Sequence, residues 1–97
     1  MHARVSLYDL GSASRDDAVR AFEETRSAIE QMQGNQGALL LVNPEQRKAL
    51  TITLWESEEA LQATDQQAGQ ARQQAAGSAG MTITGVEAYE VALEFGR

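Results

Sequence analysis

The chain has 97 residues, enough for one domain, and 42% of them are hydrophobic, enough for a core. Its net charge of −6 argues against nucleic acid and anionic membranes as partners, because both need a basic footprint. With no cysteine and a single histidine, His2, the chain has no thiol catalysis, no thiolate zinc site and no multi-histidine metal site of its own. No apolar run approaches the ~20 residues of a membrane span, and no signal-peptide pattern opens the chain. We therefore expect a soluble, cytoplasmic protein.

The first half of the chain predicts three strands and a helix. Polarity alternates from His2 to Leu10, which indicates a strand. Ser14 is an N-cap candidate ahead of an apolar stripe at helical spacing, so we predict a helix over Ser14–Gln33. Gly37–Val42 is apolar without alternation, which is typical of a strand buried on both faces. A turn at the only proline joins it to the alternating strand Ala49–Trp55 as a hairpin.

The second half predicts one helix and one strand. Ser57 is an N-cap candidate with acidic residues in the following turn, and Gly77–Gly80 ends that helix. Met81–Phe95 then predicts a long strand, bent or bulged at Gly85. The order β-α-β-β-α-β is that of an α+β, ferredoxin-like fold in a single domain over residues 1–97, with both helices on one face of a four-stranded antiparallel sheet. Because the other face is partly apolar in so short a chain, we expect a homodimer whose sheets pack face to face.

The segment Ala49–Ala60, ALTITLWESEEA, resembles the antibiotic biosynthesis monooxygenase family of dimeric α/β barrels. In that family a strand ending in Trp-Glu-Ser runs directly into a helix that begins Glu-Glu-Ala. The order of elements agrees over the whole chain, and Val86–Val91 is similar to the last strand of the family. The resemblance implies a small dimer with a pocket in each protomer, between the helices and the inner face of the sheet. It also implies oxygenation of quinols, anthrones and related aromatics without flavin, haem or metal.

Oxygenation without a cofactor places physical demands on such a pocket. Dioxygen is a triplet, so a singlet substrate must give up electrons one at a time, which an electron-rich phenolate or enolate can do. The protein must therefore favour the deprotonated substrate and hold it with oxygen in a water-poor site. Aromatic walls and one or two polar groups that accept a proton or stabilise an oxyanion meet that need.

Two residues near the resemblance are candidates for the pocket. Trp55, at the junction of strand and helix, is expected to wedge the second helix against the sheet and to form a pocket wall. Arg72, on the second helix, is either a surface charge paired with an acid such as Asp65 or the group that holds a phenolate. We assign Trp55 to substrate binding and Arg72 to catalysis.

Three further aromatic residues complete the candidate site. Tyr8 and Tyr89 lie in strands, and their hydroxyls reach either a pocket or solvent. We assign Tyr89 to catalysis and Tyr8 to substrate binding. Phe22 belongs to the apolar stripe of the first helix, where it packs in the core and borders the substrate. His2 could act as a base near neutral pH, but its place beside the initiator methionine favours a frayed end.

The chain departs from both groups of relatives that it resembles. A sister group degrades haem and carries a tryptophan and then a histidine on the second helix, where this chain has Thr64 and Gln74. We therefore expect no haem. Anthrone-type oxygenases tend to carry an asparagine before the family tryptophan and a tyrosine after it, whereas the nearby residues here are Thr51 and Leu61.

We predict a cofactor-independent monooxygenase that acts on a small aromatic quinol or phenol with dioxygen and binds no metal. The alternative is a non-catalytic dimeric module of the same fold that binds a small molecule or a protein. The scarcity of polar catalytic groups favours that alternative. The pocket distinguishes the two, since a cavity of a few hundred Å³ indicates the enzyme, whereas a cleft filled by Phe22, Met32 and Trp55 indicates the module.

Overall fold

The chain folds into four strands and three helices in a computed structural model that describes residues 1–96. The strands are β1 (His2–Asp9), β2 (Asn35–Asn43), β3 (Lys48–Trp55) and β4 (Thr82–Glu90), and the helices are α1 (Arg15–Glu30), α2 (Glu58–Ala63) and α3 (Asp65–Ala79). The strand order is β2-β3-β1-β4, and every neighbouring pair is antiparallel. The predicted α+β, ferredoxin-like fold is confirmed.

The start of α1 follows from its sequence. The Ser14 hydroxyl accepts a hydrogen bond from the backbone N–H of Asp17 at 3.1 Å, and the Asp17 carboxylate accepts one from the N–H of Ser14 at 3.0 Å. This capping box satisfies two backbone donors at the helix end. The helix ends at Glu30, before the predicted end at Gln33, because Gln31 already serves as its C-cap.

The single second helix predicted after Ser57 is two helices, which meet at Thr64. The Thr64 hydroxyl donates to the carbonyl oxygens of Ala60 at 2.8 Å and Leu61 at 3.2 Å. A side chain that bonds the last carbonyls of a helix competes with the next backbone N–H groups, so α2 ends there and α3 begins at Asp65. No helix within residues 1–96 combines the length and the apolar character needed to cross a bilayer.

The sheet is polar on its inner face, toward the helices, and apolar on its outer face. The inner face of β1 and β3 carries Arg4, Ser6, Tyr8, Thr51 and Thr53. The outer face of the sheet carries Val5, Leu7, Leu39, Leu41, Leu50, Ile52 and Leu54. In the single chain Leu39 is 58% exposed and Leu41 is 46% exposed. The apolar core lies at one end of the inner face and is built from Tyr8, Leu10, Ala13, Ala18, Ala49, Ala76 and Met81.

The bend or bulge predicted at Gly85 is a bulge one residue earlier, at Thr84. Gly85 lies opposite Leu7, whereas Ile83 lies opposite Tyr8, so Thr84 is an extra residue with no partner on β1. An extra residue of this kind breaks the ladder locally and shifts the alternation of side chains by one position.

The bulge determines which side chains of β4 face the helices. Beyond it, Val86 pairs with Ser6 on the inner face, and Tyr89 pairs with Ala3 on the outer face. β4 is also shorter than the strand predicted over Met81–Phe95. Tyr89 is therefore on the side of the sheet that faces away from α1 and α3.

Gly34, between α1 and β2, is a position that only glycine fits. Its φ is +84°, and a Cβ there would lie 2.5 Å from the Cβ of Ala60 and 3.1 Å from the Cγ of Glu56. We expect Gly34→Ala to lower the free energy of unfolding by about 2–4 kcal/mol, because left-handed strain and overpacking add. Urea unfolding at a fixed protein concentration measures the change.

The matched control for this substitution is Gly77→Ala in α3, where an added Cβ meets nothing within 4 Å. Alanine is the better helix former, so we expect the control to raise the free energy of unfolding by about 0.5–1 kcal/mol. Equal stability of Gly34→Ala and the parent protein would contradict the close approach of this turn to α2.

Candidate functional site

A cavity of about 600 Å³ lies between the inner face of the sheet and the helices α1 and α3. Its floor is polar and includes Arg4, Ser6, Tyr8, Thr51 and Thr53. Its walls are mainly apolar and include Val19, Phe22, Ile29, Leu40, Ala68 and Ala71. The exposed side chains of Glu23, Arg26 and Glu30 line its solvent side. The volume is within the range of small-molecule sites, which are typically apolar clefts with a few convergent polar groups.

Arg4 is a charged side chain buried in the cavity floor, only 2% exposed. Its Nη2 donates to the carbonyl oxygen of Leu61 at 2.6 Å and lies 3.3 Å from a carboxylate oxygen of Asp65. Its guanidinium carbon lies 5.2 Å from the centroid of the Trp55 ring, within cation–π range. Its Nη1 is buried and has no hydrogen-bond acceptor among residues 1–96. Burial lowers the pKa of Arg4, and the Asp65 carboxylate opposes that shift.

Arg72 projects from α3 and also lines the cavity. It forms no ion pair within residues 1–96, and the alternative in which it pairs with Asp65 is wrong, since Asp65 contacts Arg4. Burial is the main cause that lowers the pKa of Arg4, and the positive charge of Arg72 adds to it. Two positive charges therefore act on one cavity of an otherwise acidic protein.

Tyr8 and Phe22 form an aromatic corner of the cavity. Their ring centroids lie 5.3 Å apart at an interplanar angle of 68°, the edge-to-face arrangement that aromatic pairs prefer. The Tyr8 hydroxyl lies 3.5 Å from the hydroxyl of Thr51, at the long limit of a hydrogen bond. Burial raises the pKa of the Tyr8 phenol, so it remains protonated at neutral pH and available as a donor.

Trp55 borders the cavity and is fully buried, with 0% exposure. Its indole Nε1 donates to the Thr53 hydroxyl at 3.0 Å. Together with the Arg4 guanidinium over its ring, this bond fixes the indole at the junction of β3 and α2. Trp55 therefore supports the Arg4 side chain that lines the cavity, but its own ring is not exposed to a ligand.

The structure does not bring Tyr89 or His2 to the cavity. Tyr89 lies on the outer face of the sheet and is 50% exposed. A hydrogen bond to the neighbouring Glu87 carboxylate raises its pKa. His2 is next to Glu58, with 3.7 Å between its Nε2 and the carboxylate, and it is not among the residues that line the cavity.

The residues of the cavity do not fit an iron-bound haem. Its lining contains no histidine, cysteine or methionine, and the raised pKa of Tyr8 disfavours the phenolate that ligates iron. Thr64, at one of the two haem-related positions, bonds carbonyls of α2, and Gln74, at the other, is exposed on α3. Within residues 1–96, no group of three His, Asp or Glu side chains is placed to hold a metal ion.

Arg4 is the functional candidate that sequence reasoning missed. The alternation of β1 placed Arg4 on the same face as Ser6 and Tyr8, but the face that packs under the helices was not evident. Once the inner face of β1 is identified, a single arginine on that face indicates a buried charge. Its partners come from Leu61 and Asp65, far along the chain, and no local pattern indicates them.

No protein-family model and no curated protein matches the sequence. Solved structures do match it over almost its whole length. The cofactor-independent oxygenase SnoaB of Streptomyces nogalater has a TM-score of 0.73 at 13% identity and covers 99% of this chain and 97% of its own. The haem degrader MhuD of Mycobacterium tuberculosis, solved with two haems in its active site, has a TM-score of 0.70 at 23% identity and covers 99% of this chain and 100% of its own.

A third structure agrees with these two. A protein of Deinococcus radiodurans provisionally assigned as an antibiotic biosynthesis monooxygenase has a TM-score of 0.69 at 18% identity, and covers 100% of this chain and 98% of its own. All three likenesses extend over the sheet and the helices that enclose the cavity. The chain therefore has the fold of the antibiotic biosynthesis monooxygenases, as the resemblance of its Ala49–Ala60 segment predicted.

Proposed function

We propose that this protein is a cofactor-independent monooxygenase that oxidises a small aromatic quinol or phenol with dioxygen. The observation that carries the proposal is the cavity of about 600 Å³, in which apolar walls face Arg72, a cation with no carboxylate partner among residues 1–96. An aromatic anion suits such a site in both its apolar and its charged parts. The likeness in fold to SnoaB, a cofactor-independent oxygenase, supports the same reaction class.

The proposed reaction needs only the substrate and dioxygen to balance. A phenol with hydrogen on its para carbon loses its hydroxyl proton to solvent, and the phenolate transfers one electron to dioxygen. The phenoxyl radical and superoxide combine to form a carbon–oxygen bond at the para carbon. Loss of the para hydrogen as a proton and cleavage of the oxygen–oxygen bond then give a para-quinone and water. The phenol is oxidised by four electrons, and dioxygen is reduced by four.

Arg72 and the aromatic corner have the main roles in this proposal. The Arg72 guanidinium stabilises the phenolate and so increases the fraction of substrate that can donate an electron. Tyr8 and Phe22 hold the flat ring, and Trp55 supports the wall behind Arg4. Tyr89 has no role in the reaction, because it lies on the opposite face of the sheet.

Oxygen uptake by metal-free protein tests the reaction. The assay uses an oxygen electrode and a panel of reduced quinones and anthrones, with autoxidation in buffer as the blank. Uptake above the blank, with one oxygen atom of 18O2 found in the product and no hydrogen peroxide released, supports the proposal. Uptake equal to the blank over the whole panel contradicts the proposed substrate class and favours the non-catalytic binding module.

Arg72→Ala is expected to lower kcat/KM by about 10- to 100-fold, because it removes one charge-assisted hydrogen bond to the reacting oxygen. The matched control is Arg20→Ala on α1, which removes an exposed arginine that does not line the cavity. Steady-state oxygen uptake compares the two variants with the parent. Equal kcat/KM for Arg72→Ala and Arg20→Ala would remove Arg72 from the reaction.

We also propose that the protein is a homodimer whose two sheets pack through their outer faces. Ile52, at the middle of that face, has Val5 on one side and Leu39 on the other. Leu39 and Leu41 are among the most exposed large apolar side chains of the described sheet. A contiguous apolar face of this kind usually marks a protein interface, and a second copy presents the complementary apolar surface.

A further inference from the structure

We propose that the Arg4 end of the cavity is an anion subsite that binds the carboxylate of an aromatic acid. The inference rests on the proposed function, because the same cavity would hold the substrate. It narrows the substrate class to quinols or phenols that carry a carboxylate. The phenolic oxygen then lies toward Arg72, and the carboxylate lies toward Arg4.

The hydrogen bonds of Arg4 are incomplete. Nη2 donates to the carbonyl oxygen of Leu61 at 2.6 Å and lies 3.3 Å from Asp65. Nη1 is buried without an acceptor among residues 1–96. A buried donor on a charged group is costly when unpaired, and such groups are rare in folded proteins. Nη1 itself has almost no surface on the cavity, so a ligand oxygen at this end would complete its hydrogen bonds together with a rotation of the guanidinium.

The charge of Arg4 is also incompletely neutralised. The Arg4 side chain is 3% exposed, whereas the Asp65 side chain is 70% exposed, so water screens the carboxylate far more than the guanidinium. A buried cation that lacks a desolvated partner binds an anion strongly, because the ligand then provides the missing charge. Arginine and carboxylate are moreover matched in shape and hydrogen-bonding geometry.

The rest of the cavity favours an aromatic carboxylate over other anions. The lining carries the three arginines Arg4, Arg26 and Arg72 and two glutamates, which pair with Arg26, so the lining is net positive and favours an anion over a cation. The walls are apolar, and Phe22 and Tyr8 present rings to a flat ligand. A phosphate dianion would leave oxygens facing these walls without donors.

The subsite can be tested by binding alone, without turnover. The probe is 6-hydroxy-2-naphthoate, whose hydroxyl and carboxylate lie at opposite ends of the ring system. Its neutral partner of the same shape is 6-hydroxy-2-naphthamide. Isothermal titration calorimetry under argon gives the ratio of the two dissociation constants. We expect the carboxylate to bind the parent protein at least about tenfold more tightly than the amide, the effect of one charge-assisted hydrogen bond.

Three variants then locate the preference. Arg4→Met keeps the length of the side chain but removes the charge, and we expect it to bring the two dissociation constants within about twofold of each other. Asp65→Asn removes the carboxylate that competes for Arg4, and we expect it to increase the preference by about threefold or more. Arg20→Met, an exposed change of equal charge, is expected to keep the preference of the parent.

The outcomes separate this inference from the proposed function. Equal binding of acid and amide by the parent, or no calorimetric binding of the acid at millimolar concentration, overturns the subsite. An unchanged preference in Asp65→Asn also overturns it, even if Arg4→Met does not fold. If uncharged quinols support oxygen uptake and the two probes bind equally, the proposed oxygenase is supported and the carboxylate subsite is contradicted. Binding with the expected preference and no oxygen uptake would leave the subsite without the oxygenase.

Discussion

Trp55→Ala is expected to lower the free energy of unfolding by about 3–5 kcal/mol, the usual cost of truncating a buried tryptophan. The side chain is fully buried, its Nε1 donates to Thr53, and its ring lies against the guanidinium of Arg4. The alanine variant loses all three interactions and leaves a cavity behind Arg4. Small domains are stable by only about 5–15 kcal/mol, so the variant approaches the limit of folding.

Trp55→Phe is the graded comparison, because it keeps an aromatic ring and loses the hydrogen bond. We expect it to cost about 1–3 kcal/mol and to remain folded. Urea unfolding followed by circular dichroism suits both variants, since the chain has only one tryptophan to report by fluorescence. A cost below about 1 kcal/mol for the alanine variant would contradict the placement of Trp55 in the core.

Ile52→Glu is expected to convert the proposed homodimer to a monomer. Light scattering should give twice the 10.5 kDa of one chain for the parent protein and 10.5 kDa for the variant. Ile52 lies at the middle of the apolar outer face, so the new carboxylate would be buried without a partner in the dimer. Such burial costs several kcal/mol, which raises the dissociation constant of the dimer by about a hundredfold or more.

Gln73→Glu is the control for Ile52→Glu. It adds the same charge on an exposed position of α3, on the helical side of the protomer, and should leave the mass unchanged. The folded state of the Ile52→Glu protomer is checked by circular dichroism, because Ile52 is only partly buried in the single chain. A parent protein with a mass of 10.5 kDa at micromolar concentration would contradict the dimer.

The strands and the starts of α1 and α2 could be predicted because their causes are local. Ser14 and Asp17 are three residues apart and cap α1 as their spacing indicates. Alternation in Ala49–Trp55 predicted β3, and the glycine near the middle of the last strand predicted its bulge. The alternation also separated an apolar face from a polar one on β1 and β3.

The parts of the site that could not be predicted depend on contacts distant in sequence. Arg4 joins Leu61 in α2 and Asp65 at the start of α3, on either side of a break at Thr64 that the alanine- and glutamine-rich pattern does not reveal. Tyr89 was assigned to the pocket although the sequence left open whether the strand bends or bulges at Gly85. A bulge before Tyr89 shifts the alternation by one residue and places its side chain on the outer face, whereas a bend would not.

The bulge at Thr84 gives β4 one position where the chain can shorten without changing the cavity. Deletion of Thr84 would remove the extra residue and leave Ile83 opposite Tyr8 and Gly85 opposite Leu7, now in unbroken pairing. Every later side chain of β4 would keep its face, with Val86 toward the helices and Tyr89 away from them. Deletion of a paired residue beyond the bulge would instead shift the rest of β4 by one position and turn Tyr89 toward the cavity.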